Sequence, residues 1–132
     1  MIPLALVAED SADQAYIFRK ALFMSGYQVE VVNNGVAASL RLQEIVPRIV
    51  VLDLHLPGIS GEKLLQQIHS DERLKDTKVF LITGDAGLAD KLRDSATITL
   101  LKPISFAQLS MLATKFLPQT GNLDQNSPVD GE

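Results

Sequence analysis

The sequence predicts an α/β domain: a doubly wound, five-stranded parallel sheet of order 2-1-3-4-5, with helices on both faces. Five short apolar segments alternate with segments whose apolar residues recur at helical spacing, which is typical of βαβ units. Three apolar segments are unbroken, as expected for strands covered on both faces, whereas the second and fifth contain a polar residue, Glu30 and Thr99. The interrupted segments are assigned to the two edges, which favours this strand order.

The apolar segments define the predicted strands, and capping residues mark where the first helix begins and ends. Ser11 and Gln14 have capping-box spacing, and Gly26 follows the last apolar residue of that helix. The predicted strands are Leu4–Ala8, Val29–Val32, Ile49–Leu52, Val79–Ile82 and Ile98–Leu101.

Apolar stripes predict the helices. The second helix is predicted over Gly35–Glu44, the third begins near Ser60, and the last begins at Ser105. Met24 and Met111 are expected to pack inside the protein, because methionine commonly fills gaps in a core. The other predicted inward-facing residues are Ile17, Phe18, Ala21 and Leu22 in the first helix, Leu64, Leu65 and Ile68 in the third, Leu88 and Leu92 in the short fourth, and Phe106, Leu109, Leu112 and Phe116 in the last.

Length and periodicity predict one domain and a tail. A chain of 132 residues suits a single domain, which we place at residues 1–118. Residues 119–132 are polar, rich in turn-forming residues and without periodicity, so we expect a disordered tail. The start at Met1 and this tail favour a stand-alone domain over a fragment of a larger protein.

Composition excludes several classes of protein. The chain has no cysteine, so disulfides and thiolate metal sites are excluded, and a reducing, cytoplasmic location is expected. The net charge of −4 argues against a surface for nucleic acid or anionic membrane. The apolar opening segment Met1–Ala8 is too short to span a bilayer and has no basic residues before it, unlike a signal peptide.

Three carboxylates follow two neighbouring strands of the predicted sheet. Glu9 and Asp10 follow the first strand, and Asp53 follows the third. In an open parallel sheet, ligands bind beyond the carboxyl ends of the strands, where the connections change direction. Because like charges at close range are unfavourable, we expect a cation among them. An all-oxygen ligand set suits Mg²⁺, with Mn²⁺ as an alternative.

The remaining strand ends add a hydroxyl and an ammonium group. Thr83 ends the fourth strand and can donate to a phosphoryl oxygen, and Lys102 follows the fifth with a compact positive charge. A carboxylate such as Asp53 can act as nucleophile while these groups stabilise the transferred phosphoryl. The sequence therefore predicts a phosphoryl-transfer site.

Four motifs together resemble the receiver domain of two-component response regulators, in particular the single-domain chemotaxis type with its flavodoxin-like fold. They are Glu9-Asp10, then Asp53 in Val-Leu-Asp-Leu-His-Leu-Pro-Gly-Ile-Ser-Gly, then Leu-Ile-Thr83-Gly, and Leu-Leu-Lys102-Pro103. The resemblance runs from Leu4 to about Leu117. Each motif alone is weak, but all four in order at strand ends form a specific signal.

The resemblance implies roles for these residues. Asp53 would accept a phosphoryl group from a phosphohistidine of a histidine kinase or histidine phosphotransfer protein. Asp10, Asp53 and the backbone carbonyl of His55 would bind Mg²⁺, with Glu9 acting through water. Thr83 and Lys102 would contact the phosphoryl oxygens and carry the signal to a downstream protein partner. The bond before Pro103 is expected to be cis, and the protein would be a self-phosphorylating and self-dephosphorylating switch rather than a turnover enzyme.

The chain departs from this family at three places. Thr99 stands where an aromatic residue is common, three positions before the lysine. The segment Ala86–Thr97 is short for a fourth helix and its following loop. His55 and Asp85 border the site, two residues after the phosphoacceptor and the threonine, where they are expected to tune phosphoryl lifetime. At the metal, only the backbone carbonyl of His55 is expected to act, not its ring. The other histidine, His69, is expected to lie at the surface.

Three other functions share part of this pattern. A pseudo-receiver that binds partners without phosphorylation usually lacks an acid or the lysine, and here all five positions are present. A haloacid-dehalogenase-type phosphatase normally needs a second aspartate two residues after the nucleophile, where this chain has His55. A flavin carrier of the flavodoxin type needs a phosphate-cradling loop after the first strand, and no such loop is found.

Overall fold

A computed structural model describes residues 1–118 and shows a sheet of five parallel strands. The order is β2-β1-β3-β4-β5, so the predicted fold class and strand order are confirmed. The predicted tail, residues 119–132, lies outside the described residues. The strands are β1 (Leu4–Ala8), β2 (Gln28–Val32), β3 (Ile49–Asp53), β4 (Lys78–Thr83) and β5 (Ile98–Leu101).

Five α-helices connect and follow the strands. A side-chain oxygen caps each of them by accepting from the backbone N–H three residues later; for α1 the cap is Ser11, as predicted. The helix α2 ends two residues earlier than predicted, because the N–H of Gln43 donates to Leu40 and tightens the last turn. The helices are α1 (Ala12–Met24), α2 (Gly35–Leu42), α3 (Gly61–Ser70), α4 (Ala86–Lys91) and α5 (Phe106–Lys115), with short 3₁₀ turns at Glu72–Leu74 and Arg93–Ser95.

Alternate residues of the buried strands face two separate hydrophobic cores. In β1, Leu6 and Ala8 point into the core that α2 and α3 cover, while Ala5 and Val7 point into the core under α1 and α5. Every residue of β3 is buried, as predicted for a strand with helices on both faces. Because both faces are sealed, the polar residues that follow the strands collect at the carboxyl edge of the sheet.

Several side chains predicted to be buried are exposed. Ile17 and Phe106 are 39% and 37% exposed, and Met24 and Met111 are 65% and 58% exposed. Each methionine lies two residues after a buried leucine of its helix, and at about 100° per residue it points away from the core. In α5 only Leu109 and Ala113 are fully buried, and Leu112 and Phe116 are half-buried.

The departures at the fourth helix are visible in the fold. Among the described residues, α4 has no fully buried side chain, and Leu88 and Leu92 pack against the core only in part. Thr99 of β5 donates its hydroxyl to the carbonyl of Leu92 at 3.4 Å. No helix within residues 1–118 is long and apolar enough to cross a membrane.

The start of α2 touches the loop that follows β3, backbone against backbone. The N–H of Gly35 donates to the carbonyl of Pro57 at 2.8 Å. A Cβ atom at Gly35 would overlap the carbonyl of Ile59 and lie 2.6 Å from its nitrogen. The absence of a side chain at this glycine therefore allows the loop after Asp53 to pack on α2.

We expect Gly35→Ala to lower the free energy of unfolding by about 1–3 kcal/mol, because the added methyl group overpacks this contact. Gly84→Ala is the matched control, since a Cβ there meets no atom within 4 Å, and it should change stability by less than about 0.5 kcal/mol. Urea denaturation measures both. Equal stability of the two variants would show that the loop yields to the methyl group.

Candidate functional site

Four parallel strands end at the same edge and bring together all the residues that the sequence assigned to the site. Asp53 is the last residue of β3 and pairs in register with Ile82, one residue before Thr83. Glu9 and Asp10 directly follow β1, and Lys102 directly follows β5. The site thus combines side chains at or directly after the carboxyl ends of β1, β3, β4 and β5.

The three acids form a compact cluster. Carboxylate oxygens of Glu9, Asp10 and Asp53 lie within 4.8 Å of one another. Glu9 and Asp53 are 1% and 2% exposed, whereas Asp10 is exposed. Burial of two carboxylates side by side is unfavourable unless an opposite charge compensates for the lost hydration.

Lys102 supplies that opposite charge. Its Nζ lies 2.9 Å from Oδ2 of Asp53 and 3.6 Å from Oε1 of Glu9. Its backbone N–H donates to the carbonyl of Thr83 at 2.7 Å, which anchors the lysine to the end of β4. The Lys102–Pro103 bond is cis, as predicted.

The backbone around Asp53 fixes the direction of its carboxylate. The N–H of His55 donates to Oδ1 of Asp53 at 2.9 Å, and the N–H of Leu54 donates to the carbonyl of Ile82 at 3.0 Å. A Cβ at Gly61, the first residue of α3, would lie 2.6 Å from the Cα of Leu54. The close approach of α3 therefore limits the movement of the chain beside the carboxylate.

The pKa values of the two buried acids are shifted in opposite directions. Burial raises the pKa of Glu9 to about 7, and the neighbouring Asp53 charge adds to this effect, against a hydrogen bond from the N–H of Ser11. Burial also acts to raise the pKa of Asp53, but hydrogen bonds from His55 and Lys102 outweigh it and lower that pKa. Burial acts to lower the pKa of Lys102, yet its contact with Asp53 raises it. Asp53 is therefore an anion and Lys102 a cation at neutral pH.

The acids have the donor atoms that a hard cation needs. Oε1 of Glu9 is buried and has no hydrogen-bond partner within the described residues. An unpartnered buried oxygen beside two further carboxylates is the kind of ligand set that Mg²⁺ takes, usually with several waters retained. The residues present at this site therefore fit a divalent cation.

Thr83 is buried and has two polar neighbours. Its Oγ1 accepts from the N–H of Asp85 at 3.1 Å and lies 3.2 Å from Nε2 of His55. The ring of His55 thus contacts the threonine, a role that the sequence analysis did not give it. The predicted strand order could have indicated this contact. Since β4 lies beside β3, a side chain two residues beyond Asp53 can reach the end of β4. His69 is exposed, as expected.

Comparison with known proteins identifies the family. The profile of the response regulator receiver domain matches residues 5–114. The chain therefore belongs to the response regulator receiver domain family. In this family, Mg²⁺ binds at an acidic pocket, which here corresponds to the cluster of Glu9, Asp10 and Asp53.

Individual relatives support this assignment. The chain is 27% identical to the CheY-like response regulator receiver domain from Methylobacillus flagellatus, with a TM-score of 0.78 over 89% of this chain and 100% of that one. It is 29% identical to the phosphate regulon transcriptional regulatory protein PhoB of Rhizobium meliloti, over 83% of this chain and 49% of that regulator. The chain thus spans about half the length of that regulator.

A further solved structure with this fold holds a metal ion. The receiver domain of a sensor histidine kinase from Pseudomonas aeruginosa holds a magnesium ion in its active-site cleft. The two chains are 21% identical, with a TM-score of 0.78 over 88% of this chain and 98% of that one. At this identity the likeness shows a shared fold.

Because the pKa of Glu9 is raised to about 7, we expect the contribution of Glu9 to the stability of the metal-free protein to fall as the pH rises from 4.5 to about 7. In this window the unfolded chain has released the Glu9 proton and the folded protein retains it, so the free energy of unfolding falls with pH. We expect Glu9→Gln to reduce that decline by roughly 1–3 kcal/mol. Urea denaturation in the presence of a chelator, at a series of pH values, measures the difference.

Glu62→Gln is the matched control, because Glu62 is an exposed glutamate of α3. It should reproduce the wild-type pH profile. If Glu9→Gln also reproduced that profile, the site would hold Glu9 as an ordinary ionised carboxylate.

Proposed function

We propose that Asp53 accepts a phosphoryl group from a phosphohistidine of a histidine kinase or histidine phosphotransfer protein, in an Mg²⁺-dependent reaction. The observation that carries this proposal is the position of the Asp53 carboxylate, 2.9 Å from Lys102 Nζ and next to two further acids. A buried, anionic carboxylate beside a fixed cation combines a nucleophile with a group that stabilises the incoming charge.

In the proposed transfer, a carboxylate oxygen of Asp53 forms a bond to phosphorus. The phosphorus–nitrogen bond of the donor breaks, and its electron pair goes to the imidazole nitrogen, which leaves. The ammonium of Lys102 and the hydroxyl of Thr83 donate to phosphoryl oxygens, so that negative charge is stabilised as it develops. The catalytic residues of this proposal are Asp53, Thr83 and Lys102.

Glu9, Asp10, Asp53 and the backbone carbonyl of His55 would hold the metal, with Glu9 acting through water. All of these ligands are oxygen atoms. The Oε1 of Glu9, which has no hydrogen-bond partner within the described residues, supports a cation at this place. When bound, Mg²⁺ neutralises the acids and the phosphoryl oxygens. Mn²⁺ is expected to substitute, since it shares the preference for carboxylate and carbonyl ligands.

The phosphorylated domain is expected to act as a switch, not as a turnover enzyme. An aspartyl phosphate carries roughly −1.5 to −2 charges at neutral pH, by analogy with other phosphorylated side chains, in place of the single negative charge of the free carboxylate. Thr83 would move toward that charge and shift the surface of α4 and β5, which we propose contacts a downstream protein partner in the cytoplasm. Since Thr99 replaces the usual aromatic residue, the shift cannot rely on an inward-turning ring.

The shape of the fourth helix favours one alternative. The helix α4 has six residues and no fully buried side chain, so the surface that should respond to phosphorylation is weakly attached to the core. A pseudo-receiver that binds its partner without phosphorylation would tolerate such a surface. The two functions differ in whether Asp53 is ever modified.

We expect incubation with Mg²⁺ and acetyl phosphate to add one phosphoryl group to the wild-type protein. Asp53→Asn should gain none, because the amide is not a nucleophile for phosphorus. Asp76→Asn is the matched control, since Asp76 is an exposed aspartate that precedes β4, at the opposite edge of the sheet from the site; it should behave as wild type. Intact-mass spectrometry measures each gain.

A gain that is equal in wild type and Asp53→Asn would assign the acceptor to another residue. The pseudo-receiver would be favoured if the protein bound no Mg²⁺ and gained no phosphoryl group, even with a histidine kinase or phosphotransfer protein as donor. A chelator should abolish the wild-type gain, and a gain that persisted would exclude a metal requirement.

We expect Lys102→Gln to lower the rate of phosphorylation by about 10²-fold, the loss typical of removing one donor to a developing negative charge. Lys102→Arg should recover part of the rate, because the cation is retained with a different shape. Time-resolved intact-mass measurement gives both rates. If Lys102→Gln were phosphorylated at the wild-type rate, the role of Lys102 would be limited to neutralising the acids before phosphorylation.

A further inference from the structure

The hydroxyl of Thr83 is held by two partners in the unphosphorylated site. Oγ1 accepts from the N–H of Asp85 at 3.1 Å and lies 3.2 Å from Nε2 of His55. Thr83 is 0% exposed, whereas His55 lies at the surface. The hydroxyl is therefore in contact with the imidazole ring instead of bulk water.

Both tautomers of the ring restrain the hydroxyl. If Nε2 carries a lone pair, the hydroxyl donates its single hydrogen to it and has none left for a phosphoryl oxygen. If Nε2 carries a hydrogen, the ring donates, and Oγ1 is fixed between two donors. In either arrangement, Thr83 must break its contact with His55 before it can turn toward a phosphoryl group on Asp53.

The same histidine is attached to the phosphoacceptor through its backbone. The N–H of His55 donates to Oδ1 of Asp53 at 2.9 Å. His55 therefore contacts the carboxylate with its main chain and the threonine with its ring.

We propose that the imidazole of His55 is a positioning group that holds the Thr83 hydroxyl in the unphosphorylated site and competes with the phosphoryl group for it. This inference rests on the proposed function. It assigns the side chain of His55 a role through Thr83, separate from the role of its carbonyl at the metal. The ring slows the reaction, because the contact between Nε2 and Oγ1 must break before the side chain of Thr83 can turn toward a phosphoryl oxygen.

Two substitutions separate the hydrogen bond from the bulk of the ring. His55→Leu retains much of the volume and removes the polar atom, while His55→Gln places an amide group near the position of Nε2. We expect His55→Leu to be phosphorylated by acetyl phosphate and Mg²⁺ roughly three- to ten-fold faster than wild type, the range that one net hydrogen bond provides. His55→Gln should return the rate toward that of wild type.

A double-mutant cycle tests whether the effect passes through the hydroxyl. Thr83→Val retains the shape of the side chain, lacks the oxygen, and is expected to react more slowly than wild type. In this background His55→Leu should leave the rate unchanged. An acceleration of equal size in both backgrounds would overturn the inference, since it would show that the ring only limits access to Asp53. An unchanged rate in His55→Leu alone would overturn it as well.

A measurement on the unphosphorylated protein separates this inference from the proposed function. Three-bond couplings to the γ-methyl group of Thr83, measured by nuclear magnetic resonance, report the rotamer of its side chain. We expect one rotamer in wild type and His55→Gln, and averaging in His55→Leu. If no variant were phosphorylated, the proposed function would fail, and the rotamer result would still decide this inference: a fixed rotamer in His55→Leu would overturn it.

Discussion

The ion pair between Lys102 and Asp53 is the interaction on which the site depends. Two carboxylates that are almost fully buried lie side by side, and the ammonium 2.9 Å from Asp53 and 3.6 Å from Glu9 compensates their charge. The compensation is partial, because the pKa of Glu9 is raised to about 7 and its Oε1 has no hydrogen-bond partner among residues 1–118. The site therefore retains an excess of negative charge, which a divalent cation can neutralise.

The two-sided core explains why the charged groups meet at one place. Helices seal both faces of β1, β3 and β4, so polar side chains are excluded from the middle of these strands and lie at their ends or directly after them. Because the strands are parallel, all of their carboxyl ends lie at one edge. The close contact of Gly35 with Ile59 then holds the loop beyond Asp53 in position. Core packing and the geometry of the site thus have the same origin.

The surface of α4 and β5 is less tightly packed than the acidic site. The helix α4 has no fully buried residue, and Thr99 donates a weak hydrogen bond of 3.4 Å to the carbonyl of Leu92, the residue that follows the helix. Around Thr83, in contrast, two polar contacts at 3.1 and 3.2 Å restrain the hydroxyl. The hydroxyl of Thr83 is thus held by two polar contacts, whereas the helix that follows it is packed loosely on the core.

The sequence by itself determined the fold class, the strand order and the identity of the polar groups at the site. These follow from local patterns: unbroken apolar segments mark buried strands, and the residues directly after them, Asp53 among them, must face the same edge. Only the tertiary structure decided that the ring of His55 contacts Thr83, that one oxygen of Glu9 has no hydrogen-bond partner in the described part of the chain, and that Met24 and Met111 are exposed. Those properties depend on distances and angles between separate elements, which periodicity along one chain does not contain.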